Sequence, residues 1–188
     1  MNFVKHRLLS LRAVPLCQIR RCSASSRAEN APSASPVKAA ISRATNDFAD
    51  QEGRRPRVLL VSMQAQRHTA RSGDSLASSL AQLGFDVDVC PIIAPAAIAR
   101  EAVEADVHLV HLHVAEEGPV RESIADVAGA IVEDLKREGA TDIPVCVLLP
   151  AVEEQERARL VTCGVSSVFT PETSETDMCD QYLRLLMN

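Results

Sequence analysis

The stretch from Arg55 to Val89 constrains the fold more than any other part of the chain. Val58 to Val61 is an unbroken apolar run of valine and leucine, the pattern of a strand buried on both faces in a parallel sheet. A polar loop carrying His68 follows. Leu76, Leu80 and Leu83 then recur at helical spacing, and Gly84 stands where a helix stop needs a left-handed residue. Phe85 to Val89 reads as a second strand. Strand, loop, helix and strand in this order make a βαβ unit. In open α/β sheets ligands gather at loops leaving the carboxyl ends of strands, so the His68 loop is the first candidate site.

The alternation continues to the end of the chain. The spacing predicts strands over 57–62, 86–90, 107–113, 144–149 and 165–169, and helices over 73–83, 95–104, 119–138, 152–163 and 174–187. Ile124, Val127, Ile131 and Leu135 form one stripe of the third helix, closed by Gly139. Met178, Tyr182 and Leu185 share a face of the last. Five alternations predict a single doubly wound parallel sheet with right-handed crossovers, of flavodoxin-like or Rossmann-like order 2-1-3-4-5. Aromatic residues make up only 3% and Trp is absent, so Leu, Val, Ile and Ala must fill the core.

Residues 1–22 have a different composition. Lys5, Arg7, Arg12, Arg20 and Arg21 occur among Leu8, Leu9, Leu11, Val14 and Leu16, with no Asp or Glu. This is the signature of a mitochondrial transit peptide, and Arg20-Arg21-Cys22-Ser23 resembles a processing site with cleavage before Ser23. A mitochondrial matrix location follows as the expectation. Residues 23–53, rich in Ser, Ala, Asn and Pro, read as a flexible linker or partner-binding arm with a short helix over Val37 to Phe48. The folded domain is then 54–188. The chain's 20 Lys+Arg less the five in the leader leave 15 against 25 Asp+Glu, a net charge of −10. Such a domain is a poor nucleic-acid binder, except through a local patch of Arg54, Arg55, Arg57, Arg67 and Arg71. No apolar run approaches the roughly 20 residues of a membrane span.

Catalytic patterns are few. The six cysteines form no Cys-x-x-Cys pair and read as small core or helix residues of a reducing compartment. There is no Gly-x-Gly-x-x-Gly, phosphate loop or Gly-x-Ser-x-Gly. His111 and His113 fall on one face of the third strand and His108 on the other. In the expected strand order His113 and His68 both stand at the carboxyl edge, near Glu116 and Glu117. That pair is an alternative metal site, and with it an alternative metal-dependent enzyme. The leading expectation is no metal.

Arg55-Pro56-Arg57-Val58-Leu59-Leu60, Leu83-Gly84-Phe85-Asp86-Val87-Asp88-Val89 and Glu101 through His108 resemble the cobalamin (B12)-binding domain of the methylmalonyl-CoA mutase family, over about Arg54 to the C-terminus. The resemblance implies the 2-1-3-4-5 order. It also implies a loop motif Asp-x-His-x-x-Gly after the first strand, whose histidine is the lower cobalt ligand and whose aspartate orients it. Here the run is Gln66-Arg67-His68-Thr69-Ala70-Arg71: His68 is kept, Gln66 holds the aspartate position and Arg71 the glycine position. A Ser-x-Leu element after the third strand, which in the family contacts the base of the cofactor's nucleotide tail, falls on His113-Val114-Ala115. A Gly-Gly pair lining the tail pocket falls on Leu148-Leu149, and a later Gly-Thr near Glu172-Thr173. Large side chains at glycine positions close a pocket. The family's radical chemistry and coenzyme A site lie in a separate (β/α)₈ domain that this chain does not supply.

These features set the expectations for function. The chain is expected to be no enzyme, to hold no cofactor, and to serve as an interaction or scaffold subunit of a large mitochondrial assembly such as a ribosome or its assembly intermediate, a respiratory complex or an RNA-processing complex. The alternative is a small cobalamin-binding accessory subunit or carrier, with His68 as ligand, for a separate mutase chain.

Overall fold

A computed structural model of the chain describes residues 20–22, 35–63, 71–91, 94–114 and 123–187. Its elements are β1 (Arg20–Cys22), α1 (Pro36–Glu52), β2 (Arg57–Met63), α2 (Arg71–Gln82), β3 (Asp86–Pro91), α3 (Pro95–Glu104), β4 (Leu109–Val114), α4 (Ile124–Arg137), β5 (Val145–Leu148), α5 (Glu154–Thr162), β6 (Ser167–Phe169) and α6 (Glu175–Leu186). The sheet order is β1-β3-β2-β4-β5-β6. The five parallel strands β2 to β6 therefore stand in the expected 2-1-3-4-5 order.

Strand alternation sorts the core into two layers. Leu59, Val61, Val110, Leu112, Val145 and Val147 point to one face, where α3, α4 and α5 cover them with Ile98, Ile131 and Leu160. Val58, Leu60, Val87, Leu109 and Cys146 point to the other, under Ile41 of α1, Leu76 and Leu80 of α2, and Met178 and Tyr182 of α6. Both faces of β2 are buried, as its unbroken apolar run requires.

Two segments read as lying outside the domain join it. Residues 36–52, placed in the linker, form a 17-residue helix that buries Ile41, Thr45 and Phe48 at i, i+4 and i+7. Pro36 supplies a ready-made first turn. Burying the apolar side chains of Ile41 and Phe48 contributes about 1.5–3 kcal/mol each. The Thr45 hydroxyl, itself buried, donates to the Leu83 carbonyl at 3.1 Å. This close approach needs Gly84, because a Cβ there would collide with the Thr45 side chain. Gly84 also takes φ +100, the left-handed conformation expected of the helix stop. The second segment is β1. Arg20–Cys22, placed in the leader, pairs antiparallel with the outer edge of β3. Backbone pairing at an open edge is nearly indifferent to side chains, so periodicity did not reveal it.

Candidate functional site at the carboxyl end of the sheet

The parallel register aligns a row of residues near the carboxyl end, on the α2/α6 face. Ser62, His113, Leu148 and Phe169 stand side by side across β2, β4, β5 and β6. One row deeper on the same face stand Leu60, His111, Cys146 and Ser167. His113 is half-buried at the rim, and His111 is completely buried behind it.

His111 sits in an aromatic cage. Its Nδ1 lies 2.7 Å from the hydroxyl of Tyr182, which α6 delivers from 71 residues away. Phe169 stacks on its ring at 6.3 Å, and Phe169 and Tyr182 meet edge to face at 5.7 Å. Burial, and secondarily the neighbouring His113, pushes the His111 pKa down to about 3, so the ring is neutral. Burial also lowers that of His113. The Nε2 of His111 and the Nδ1 of His113 are both buried and have no hydrogen-bond partner among the described residues. Tyr182 joins this candidate site through His111, although the sequence reading placed it only as part of a helical stripe. Burial pushes the thiols of Cys146 and Cys179, on the same face, up to about 12, which leaves them unreactive.

Other singled-out residues are placed as follows. Residues 64–70, with Gln66, Arg67 and His68, lie outside the described residues, as do Glu116 and Glu117 and the side chain of Arg71. The proposed His68–His113 pairing thus falls partly outside them. Among the described residues, no group of three or more His, Cys, Asp or Glu is arranged to hold a metal ion. Leu148 packs half-buried against the α2/α6 core, while Leu149 is buried in the opposite layer. Thr173 closes its own turn, accepting the Thr170 amide on its hydroxyl.

The amino end of the sheet holds a cluster of charged residues with His108. Arg57 Nε meets buried Asp88 at 2.6 Å, and its guanidinium donates to the Ala105 carbonyl. Arg54 meets Asp106 at 2.5 Å. His108 Nδ1 accepts the Arg57 amide at 2.9 Å, and its ring meets Phe48 edge-on at 5.1 Å. Arg54 and Arg57 are therefore neutralised by carboxylates at the end of β2 opposite the loop, where the expected basic patch placed them beside it.

No family model matches the chain. Curated proteins similar in sequence include the methylmalonyl-CoA mutase large subunit of Streptomyces virginiae, 36% identical over 172 residues, covering 90% of this chain and 22% of the relative. The Escherichia coli (strain K12) methylmalonyl-CoA mutase is 36% identical over 149 residues, 78% of this chain and 20% of the relative. The mitochondrial methylmalonyl-CoA mutase of Mus musculus is 35% identical over 138 residues, 73% of this chain and 17% of the relative. This chain spans about a fifth of the length of these relatives. Among solved structures, a cobalamin-binding protein from Desulfitobacterium hafniense DCB-2 superposes with a TM-score of 0.54 at 16% identity, over 79% of this chain and 69% of that one. A Francisella response-regulator receiver domain superposes with a TM-score of 0.52 at 12% identity, over 70% and 97%. At those identities the superpositions speak for the fold.

The expectation of a chain outside enzymology does not stand, because the sequence relatives are named for an enzyme, methylmalonyl-CoA mutase. That expectation leaned on a catalytic domain that this chain does not supply, whereas the match concerns one segment of the relatives. Its sheet order, its five parallel strands and its 36% identity to a mutase large subunit make the chain a B12-binding-type domain related to the methylmalonyl-CoA mutases.

Proposed function

We propose that this chain is a mitochondrial B12-binding-type domain whose cofactor-tail space is taken by its own side chains, and that it acts as an interaction subunit of a larger mitochondrial assembly. One observation carries the reading. Leu148 and Leu149, at the positions where the resemblance implies a glycine pair, pack into the two core layers on opposite faces of the sheet. Beside them His111, Phe169 and Tyr182 close the α6 side. Admitting a nucleotide tail would mean expelling packed leucine and aromatic side chains, at about 2–5 kcal/mol for each one lost from a core. The residues present do not fit the tail. The Arg-rich, acid-free first 22 residues support the mitochondrial location. The test is native size in a mitochondrial lysate. A complex of several hundred kilodaltons or more is expected, and a free monomer would overturn the reading.

A second reading is favoured by the sequence identity to a mutase large subunit and by His68, which follows β2 in the sequence. In it the chain is a cobalamin-binding accessory subunit for a separate mutase chain. Spectral titration of the purified protein with cobalamin separates the two. The first reading expects an unchanged cobalamin spectrum. The second expects a shift that His68→Ala abolishes.

A further inference from the structure

β3 is the outermost of the parallel strands, with β2 along one side. Along its other side runs β1, with Arg20 opposite Val89, Arg21 opposite Asp88 and Cys22 opposite Val87. The processing site read from Arg20-Arg21-Cys22-Ser23 cuts before Ser23. The strand that covers this edge therefore ends at the last residue that cleavage would remove.

We propose that β1 is a temporary cover, that processing before Ser23 strips it from β3, and that the uncovered edge then receives an extended basic segment of a partner subunit in its place. This deepens, and rests on, the reading of the chain as a subunit of a mitochondrial assembly. An open edge is a row of unpaired amide and carbonyl groups that accepts another strand without regard to its sequence. Before processing, the leader denies that row to premature pairing. The cover is weak by design of length. Three paired residues make only a few ladder hydrogen bonds, so β1 holds the edge only while it is tethered to the same chain, and processing ends that advantage.

The chemistry of the occupant follows from the edge. Asp86 is exposed on β3, and the processed chain carries 25 acidic against 15 basic residues, so a basic strand is favoured over an acidic one. In the strand now seated there, Arg21 stands opposite Asp88, on the pleat of Asp86. Val87 is buried and Val89 half-buried on the opposite pleat from Asp86, which asks for apolar residues alternating with the basic ones.

The test starts from the protein isolated from its own mitochondria, with its N-terminus read by mass spectrometry. An N-terminus at Ser23 is expected; one upstream of Arg20 overturns the proposal. Hydrogen exchange over residues 86–90 is then compared between this protein, freed of partners, and the full 188-residue chain. Faster exchange by at least about tenfold is expected in the processed protein, and equal rates overturn the cover. A synthetic peptide spanning residues 16–25 should bind the processed protein and not the full chain. Cys22→Pro in the full chain, which removes the donor opposite Val87, should restore peptide binding without processing. The two readings fail separately. A monomeric protein with an open edge sinks the assembly and keeps the cover; a large complex that retains β1 sinks the cover and keeps the assembly.

Discussion

The two ends of the sheet treat their histidines in opposite ways. At the amino end His108 accepts the Arg57 amide, and Arg57 and Arg54 are each matched with a carboxylate. At the carboxyl end His111 and His113 each bury a ring nitrogen without a partner among the described residues, although His111 has its other nitrogen on Tyr182. Buried polar groups are normally satisfied, so exceptions mark places that serve something other than stability. The amino end behaves as a structural joint. The carboxyl end, where parallel sheets put their sites, carries buried polar atoms with no partner among the described residues.

Substitutions can break or sharpen this contrast. The largest loss is expected from Tyr182→Ala, which empties a fully buried aromatic site and strips His111 of its hydrogen bond. Aromatic-to-alanine core changes cost about 3–5 kcal/mol, read by urea unfolding. A loss under about 1 kcal/mol would show that the cage is not part of the core. Arg57→Ala comes next. It leaves Asp88, with a side chain only 3% exposed, as an uncompensated charge, so about 3 kcal/mol is expected.

Acid should act mainly through the carboxyl end. The folded pKa of His111 is about 3, below its ordinary value of 6.5, so the unfolded chain takes up a proton that the folded chain refuses. Stability therefore falls as pH drops from about 6.5 towards 3, by roughly 1 kcal/mol per pH unit from this group. His108 and His113 are lowered in the same direction and add to the slope. His111→Phe should flatten the dependence of the urea midpoint between pH 6 and 4; an undiminished slope would assign the acid sensitivity elsewhere.

The smallest effects give the most direct comparison. His108→Ala orphans the Arg57 amide and should cost about 1–2 kcal/mol. His113→Ala removes a half-buried ring whose Nδ1 has no partner among the described residues, and should stay within about 0.5 kcal/mol. Equal losses at the two sites would erase the distinction between a structural and a spare histidine.

Much of the fold was legible because its information is local. The five parallel strands, the helices between them and the glycine stop at Gly84 follow from periodicity and turn chemistry within a dozen residues. Part of α1 was legible too. Ile41, Thr45 and Phe48 carry the spacing of a buried helical face, but the Ser- and Pro-rich residues before them argued for a linker, and the surface they cover lies elsewhere in the sequence. For the site, His113 was placed at the carboxyl edge from alternation and strand order alone. The pairing of His111 with Tyr182 was not, because it closes across 71 residues.

The amino-acid sequence by itself determined the βαβ alternation, the sheet order, the kinship with the mutases and an acidic domain behind a basic first segment. Each of these is written in nearest-neighbour patterns or in composition. Tertiary structure alone decided that α1 is part of the core, that Arg20–Cys22 covers the β3 edge, and that His111 is caged by Tyr182 and Phe169. These depend on which distant surfaces meet, and contacts across many residues leave no periodic trace in the chain that makes them.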